Sequence, residues 1–500
     1  MSELYGFELL AEKRKSVGEG KEKQDAQRSH GKLTARERII KLLDAESFVE
    51  TDALAQHSNS AAGLKEVSAP GEGVVTGYGT IDGRGVYVFS QDYTVLGGAM
   101  GAMHAKKIIK VMDMAAKTGL PVVAMLDSMG ARLGEGASAL EAFASIIAKM
   151  NELSGVVPII TAVCGTCAGT ASYLVPLSDF VFMTQDVSGV FTVAPASFNK
   201  PGSDTDTQAI GGASVHASKT GLTHFKCDSE DDTFYYLKQL ISYLPDNNIV
   251  DAPMVEVSDD INRQIENYKG AYDIREMIKS VMDNSVFFET QAFYAPSVLT
   301  GFARLNGRSV GVVANNPGAS LEGKSCSKAA SFISFCDAFG ISIITFTDTP
   351  GFATDKDQGC IIKSGAKLMY AYAQCSVPMV NIITGKAIGA GYVAMSPKSM
   401  GADMVFAWPN AVISCLPMDA AADILMRGDI ANADEPSDAR KQAADTFAKT
   451  FASPWEAAKM GYVDEVIYPS ETRQRIAGAL ELAVGKREGA IPKKHGTRMF

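Results

Sequence analysis

The sequence predicts an α/β layered fold built twice from one pattern. Three observations point to it. Related segments recur in the same order at nearly constant spacing, apolar strand-like runs alternate with helical ones, and 500 residues exceed one ordinary domain. The first related pair is "GYGTIDGRGVYVFSQDYTVLGG" and "GFARLNGRSVGVVANNPGAS", with Gly83 and Gly307 separated by 224 positions. The second is "PVVAMLDSMGARLGEG" and "ISIITFTDTPGFATDKDQG", in which Asp127 and Asp348 stand 221 apart. The third is "VVPIITAVCGTCAGTASYLVPLSDFVFM" and "SVPMVNIITGKAIGAGYVAMSPKSMGADMVFA", with Asp179 and Asp403 again 224 apart. A division near residue 260 gives an N-terminal copy, 1–260, and a C-terminal copy, 261–500.

The elements follow in chain order. Residues 10–30 are densely charged and suit a solvated helix or an arm over a partner. In "GKLTARERIIKLLD", Thr34 and Glu37 have capping-box spacing, and Ile39, Ile40, Leu42 and Leu43 supply an apolar face. Each copy then opens with a hairpin whose turn sits at Gly83 or Gly307. A helix follows in each, closed by Gly119 or Gly340, residues suited to a left-handed cap. The stretch Ser154 to Phe180 has no charge before Asp179 and is long enough to span a bilayer. Its counterpart carries Lys386 at the turn, which is costly in lipid, so both are read as buried strand–turn–helix units. The polar segment "RGDIANADEPSDARKQAADTFAKTF" reads as a helical surface excursion.

Composition narrows the class. The chain is 46% hydrophobic and 21% charged, ordinary for a soluble protein with large cores. A net charge of −10 argues against nucleic-acid binding. The N-terminus lacks the apolar core of a signal peptide, and the eight cysteines form no regular framework, so a reducing cytoplasm is expected. Cys164 and Cys167 have C-x-x-C spacing but no second pair completes a zinc ribbon, and two small buried residues are expected instead.

Side-chain catalysts are scarce. The histidines are His30, His57, His104, His216, His224 and His495, and neither a G-x-S-x-G elbow nor an H-E-x-x-H motif occurs. No metal site is expected. What repeats is small residues at a strand-to-helix turn: Ala168-Gly169-Thr170, and 221 positions on, Gly389-Ala390-Gly391. Such a turn aims free N–H groups from a helix start and admits a carbonyl oxygen, which makes an oxyanion hole. Tight packing of helix on sheet is the other reading of the same residues.

"HGKLTARERIIKLLD", "VFSQDYTVLGGAMG", "AIGGASVH", "GAKLMYAYAQCSVPMVNIITGKAIGAGY", "MGADMVFAWP" and "GYVDEVIYPSETR" resemble the carboxyltransferase (beta) subunits of biotin-dependent acyl-CoA carboxylases and decarboxylases. The resemblance covers nearly the whole chain. It implies two tandem crotonase-like domains of the ClpP/crotonase superfamily, the first binding acyl-CoA and the second the biotin side, in a homo-oligomer expected to be a hexamer. Catalytic backbone groups map onto Gly169, Thr170, Ala390 and Gly391, with Ala168, Gly389, Tyr392 and Val393 around the substrates. The resemblance further implies transfer of a carboxyl group between carboxybiotin and the α-carbon of a short acyl-CoA of the propionyl-CoA/methylmalonyl-CoA type. The cofactor supplies the base, which accounts for the missing catalytic histidine. No A-M-K-M sequence occurs, so biotin is expected on a separate carrier protein, with a biotin carboxylase or membrane decarboxylase subunits as further partners. Departures surround the sites: Thr170 replaces a second glycine, the loop Gly351 to Gly359 is shorter, and Val393 replaces an aspartate. They leave open which acyl group is used, and whether the chain runs in reverse in a sodium-pumping decarboxylase or is a silent scaffold for CoA and carrier.

Overall fold

A computed structural model describes residues 5–15, 20–57, 69–197, 206–355, 358–486, 488 and 491–494. His495 and two positions of the loop after Gly351 lie outside them. The chain divides into two compact units, Met1–Val250 and Asp251–Phe500. The division falls at residue 250 and not at 260 because the intervening residues are tied to the second unit. Val255 N–H donates to Gly307 O at 3.1 Å, and the Arg304 and Arg473 guanidiniums donate to Pro253 O at 3.0 Å and Asp260 O at 3.1 Å.

Among the described residues each unit is an eight-stranded mixed sheet with helices packed on it. The first comprises β1 (Val49–Thr51), β2 (Val74–Ile81), β3 (Arg84–Gln91), β4 (Val122–Ser128), β5 (Ile159–Ala168), β6 (Phe180–Thr184), β7 (Gly189–Phe191) and β8 (Phe225–Cys227). Its order is β1-β2-β3-β4-β5-β6-β8, with β7 continuing on β5. The second comprises β9 (Phe287–Thr290), β10 (Val298–Leu305), β11 (Arg308–Asn315), β12 (Ser342–Thr349), β13 (Met379–Ile388), β14 (Met404–Ala407), β15 (Val412–Ser414) and β16 (Glu465–Val466). Its order, β9-β10-β11-β12-β13-β14-β16 with β15 on β13, repeats the first. The first three strands of each unit pair antiparallel and the rest parallel.

Local chemistry explains the elements. Asp82-Gly83 and Asn306-Gly307 all have positive φ (48°, 76°, 53° and 75°), which matches the twist of a two-residue hairpin turn. Gly119 (φ 67°) and Gly340 (φ 66°) end the helices that follow. Thr34 and Glu37 form the predicted capping box at the helix Ala35–Leu42. Ile40, however, is 70% exposed. The helix buries positions 35, 38, 39 and 42, one face at helical spacing, and 40 lies about 100° beyond 39, outside that face. The helices Arg427–Ala431 and Pro436–Thr450 form the polar excursion.

Parallel strands buried on both faces read as continuous apolar runs, as β4 does. One face of the first sheet packs Leu126, Ile159 and Val163 against Ile108, Met112, Phe143 and Ile146 from two crossover helices. The second sheet packs Ile344, Phe346 and Ile382 against Ile278, Val281, Ile476 and Leu480. Each such side chain, fully buried, contributes about 1.5–3 kcal/mol. In the first unit, the turn after β5 leads into a 3₁₀ helix, Gly169–Leu174; after β13 a short α-helix, Ala390–Ala394, takes its place.

The duplication also extends further toward each N-terminus than the three sequence pairs show. Arg36 holds Glu50 through two N–H···O bonds, and Arg275 holds Glu289 the same way, each residue shifted by 239. Asp44 takes the Gly83 N–H at 2.9 Å, and Asp283, again 239 on, takes the Gly307 N–H at 2.8 Å.

Candidate active site

Sheet register aligns the two turns. In the first unit Val122 faces Ile159; in the second Ile343 faces Met379. Positions on β4 therefore map to β12 at a shift of 221, but positions on β5 map to β13 at 220. Gly169 is thus the counterpart of Gly389, Thr170 of Ala390 and Ala171 of Gly391. The sequence pairing of Ala168 with Gly389 is one residue out, because the connection before β13 is one residue shorter than that before β5. Backbone conformation agrees with the register: Gly169 has φ 64° and Gly389 φ 57°, both in the region that favours glycine.

Each turn is supported from the neighbouring strand. Ser128 Oγ accepts the Gly130 N–H at 3.1 Å and donates to Gly98 O at 2.7 Å. Its counterpart Thr349 Oγ1 accepts the Gly351 N–H at 3.2 Å and donates to Ala319 O at 3.0 Å. These bonds press Gly130 and Gly351 onto the turns: a Cβ at Gly130 would stand 2.9 Å from Ala168 O, and one at Gly351 3.3 Å from Ile388 O. A Cβ at Gly391 would stand 2.9 Å from Gly351 Cα. Gly389 N–H is held by Ser414 O at 2.7 Å, and Ser172 Oγ donates to Gly169 O at 2.8 Å.

Beyond those supports the turns keep free donors. No acceptor among the described residues takes the backbone N–H of Gly169, Thr170, Ala390 or Gly391. Around a Cβ built at Gly169 there is open space. Ala168 is buried at the end of β5 and Tyr392 is half-buried, its phenol pKa raised by burial. Val393 is 40% exposed, and its counterpart by register, Tyr173, is 55% exposed. Packing into the sheet is therefore not the role of Val393 in the isolated chain.

Behind the turns lies a feature that sequence reasoning used only as a repeat marker. Asp127 is fully buried and meets the Lys32 amine at 2.7 Å and the Arg38 guanidinium at 3.1 Å. Arg38, itself fully buried, also binds Glu230 at 3.0 Å and donates to Cys164 O at 2.8 Å. Asp348, the counterpart of Asp127, accepts the Lys386 N–H at 2.9 Å and lies 3.4 Å from the Tyr272 hydroxyl. Burial raises its pKa, with those bonds acting against the rise. The backbone N–H of each aspartate is held alike, by Gln91 Oε1 or Asn315 Oδ1 at 3.1 Å. Gly165 and Gly385 make room: a Cβ there would lie 2.2 Å from Asp127 Oδ1 or 2.3 Å from Asp348 Cγ.

Two buried lysines brace the frame. Lys107 donates to Gly71 O and Val74 O at 2.8 and 2.6 Å, and Lys328 to Gln291 O and Tyr294 O at 3.0 and 2.9 Å. Burial lowers both pKa values to about 8. Cys164 and Cys167 lie buried in β5, with burial pushing the Cys164 thiol up to about 12. Among the described residues no group of three His, Cys, Asp or Glu side chains is placed to hold a metal ion, and no helix is long and apolar enough to cross a membrane.

Each unit thus carries, at the same place in its sheet, a turn of small residues with free backbone N–H groups. Residues 26–498 match the carboxyl transferase domain, and the chain belongs to that family. It is 42% identical to the methylmalonyl-CoA decarboxylase subunit alpha of Veillonella parvula over 98% of both chains. It is 41% identical to the propionyl-CoA carboxylase beta chain of Saccharopolyspora erythraea, covering 98% of this chain and 94% of that one. Among solved structures it is similar to the transcarboxylase 12S hexamer assembly with methylmalonyl-coenzyme A bound, at a TM-score of 0.95 and 38% identity, covering 99% of this chain and 98% of the other. That likeness includes the duplicated α/β architecture expected from the sequence.

Proposed function

We propose that this chain transfers a carboxyl group between carboxylated biotin on a separate carrier protein and the α-carbon of a short acyl-CoA, of the propionyl-CoA/methylmalonyl-CoA type. The observation that carries the proposal is the pair of register-matched turns with free N–H groups. In the first unit the Gly169 and Thr170 N–H groups, with Ala171 beside them, hold the thioester oxygen as removal of the α-proton places negative charge on it. In the second unit the Ala390 and Gly391 N–H groups hold the ureido oxygen of the biotin ring. The donor set fits both, since each oxygen is an acceptor and neither turn carries a side chain on its glycine. Each such donor contributes about 2.7–4 kcal/mol to the transition state in acyl-transfer enzymes. The biotin ring supplies the carboxyl group and, once free of it, a basic nitrogen. We further propose a cytoplasmic homo-oligomer, most simply a hexamer, served by a biotin carboxyl carrier protein and a biotin carboxylase.

A reverse reading rests on a specific observation: relatives at 42% and 43% identity are named methylmalonyl-CoA decarboxylase subunit alpha. The partners are then membrane decarboxylase subunits. The deciding experiment incubates the protein with biotinylated carrier, biotin carboxylase, ATP and labelled bicarbonate across acetyl-, propionyl- and butyryl-CoA. A parallel reaction supplies methylmalonyl-CoA and free carrier. Label in an acyl-CoA product establishes the forward reaction, and carboxylated carrier from methylmalonyl-CoA establishes the reverse capacity. No transfer in either direction refutes the proposal and leaves a CoA- or carrier-binding scaffold.

A further inference from the structure

The second unit contains a cavity of about 320 Å³, a size suited to a small ligand. Its walls are the rings of Tyr268, Tyr272 and Trp408, with Thr384, Asn410 and Tyr468 beside them. Tyr268 and Trp408 lie nearly parallel with centroids 5.9 Å apart, and Tyr272 stands 5.6 Å from Trp408 at 58°. Asp348 lies behind this lining, one hydrogen bond away through Tyr272.

In the first unit the same aspartate is neutralised by Lys32 and Arg38. By the shift of 239, Leu33 corresponds to Tyr272 and Arg38 to Met277, so the second unit has lost the buried guanidinium and gained an aromatic wall. No cationic side chain of the described residues comes within ion-pair distance of Asp348. The Tyr272 hydroxyl carries one proton and faces two acceptors, Thr384 Oγ1 at 2.8 Å and Asp348 Oδ2 at 3.4 Å. Asp348 also takes the backbone N–H groups of Lys386, at 2.9 Å, and of Gly318, so dipoles and no ion pair meet its charge. Aromatic faces and a carboxylate with no ion-pair partner behind them together attract a cation.

We infer that this cavity is a binding site for a guanidinium or primary ammonium group, which balances the charge of Asp348 from across Tyr272, where Arg38 and Lys32 touch the aspartate of the first unit directly. The group arrives on a small molecule or on an arginine or lysine of another copy. Exposed Lys269 at the rim and exposed Lys386 above Asp348 are the like charges that limit affinity. The inference does not depend on carboxyl transfer.

The test titrates the assembled protein with methylguanidinium and with methylurea, its neutral near-isostere, following tryptophan fluorescence and calorimetry. Saturable binding of methylguanidinium at least tenfold tighter than methylurea is expected, abolished in Asp348→Asn, weakened severalfold in Tyr268→Leu and strengthened in Lys269→Met. If a neighbouring copy already supplies the cation, the wild type takes up neither compound and both Asp348→Asn and Tyr268→Leu dissociate the oligomer at higher protein concentration than wild type. Indistinguishable binding of the two compounds, or no binding with unchanged assembly in both variants, overturns the inference.

Discussion

The two units place an aspartate at the same point of the same sheet and treat it in opposite ways. Asp127 is sealed among Lys32, Arg38 and, through Arg38, Glu230, with Arg38 wholly out of water. Asp348 keeps partial exposure, backbone donors and a shared phenol, beside a cavity. What the two copies share is the hold on the aspartate's backbone N–H, which an amide side-chain oxygen of the neighbouring strand accepts in both. Whatever neutralises the charge is left for each unit to settle.

The sharpest way to break this comparison is Arg38→Met. Removing one member of a buried ion cluster leaves Glu230 without its cation and Asp127 with Lys32 alone, and the expected loss is about 3–5 kcal/mol, seen in denaturant unfolding and as faster hydrogen exchange confined to the first unit. Tyr272→Phe, which removes the side-chain donor beside Asp348 in the second unit, is expected to cost about 1 kcal/mol. Equal costs would mean the two aspartates are held alike after all.

Next in size are the turns themselves. Gly391→Ala places a methyl 2.9 Å from Gly351 Cα, so the donors after β13 must move. About a 100-fold fall in kcat/KM for the carrier substrate is expected. Gly169→Ala meets no atom within 4 Å and carries only the strain of φ 64°. Its effect is expected to be smaller, about tenfold, and to appear in kcat/KM for acyl-CoA. Steady-state kinetics with each substrate varied in turn checks both, and a Gly169→Ala loss equal to that of Gly391→Ala would remove the steric distinction between the units.

The buried lysines, in contrast, predict sameness. Lys107 and Lys328 have folded pKa values of about 8, below the value of about 10.4 expected for the unfolded chain. The native state therefore binds fewer protons than the unfolded state between these limits, and stability rises as pH increases from 8 to 10. The charged amines penalise the fold in full below pH 8. Roughly 2 kcal/mol of this rise per lysine is expected to vanish in Lys107→Met and, equally, in Lys328→Met, by unfolding measured across that window.

The smallest effect concerns Val393. Being 40% exposed, it is expected to accept Val393→Asp with less than about 0.5 kcal/mol change in stability. The ratio of rates with acetyl-, propionyl- and butyryl-CoA is expected to shift by about tenfold. Unchanged relative rates would remove Val393 from the acyl-recognition surface.

Much of this frame was legible in the residues. The hairpin glycines, the capped helix at Thr34 and the alternation of strands with helices each leave a local signature, since turn and cap chemistry restricts residue choice at single positions. The repeated helix–strand at a shift of 239 was not legible, because a surface helix joined to an edge strand constrains little beyond Arg36–Glu50 and Asp44. The one-residue slip at the turn was hidden because two neighbouring small residues align equally well at 220 or 221. Nothing local marked Asp127 and Asp348 as charge sites, since their side-chain partners come from residues 32, 38 and 272, distant along the chain.

The shifts relating the copies, 239, 224, 221, 220, 224, 223 and 240 in chain order, change only in connections and never within a paired strand. The sheet therefore acts as a gauge that rejects length errors, while the joining segments absorb them. The joint at Ser154 and Gly155, in the connection that is one residue shorter in the other copy, is accordingly the place to lengthen this protein with a peptide tag or reporter without moving its turns.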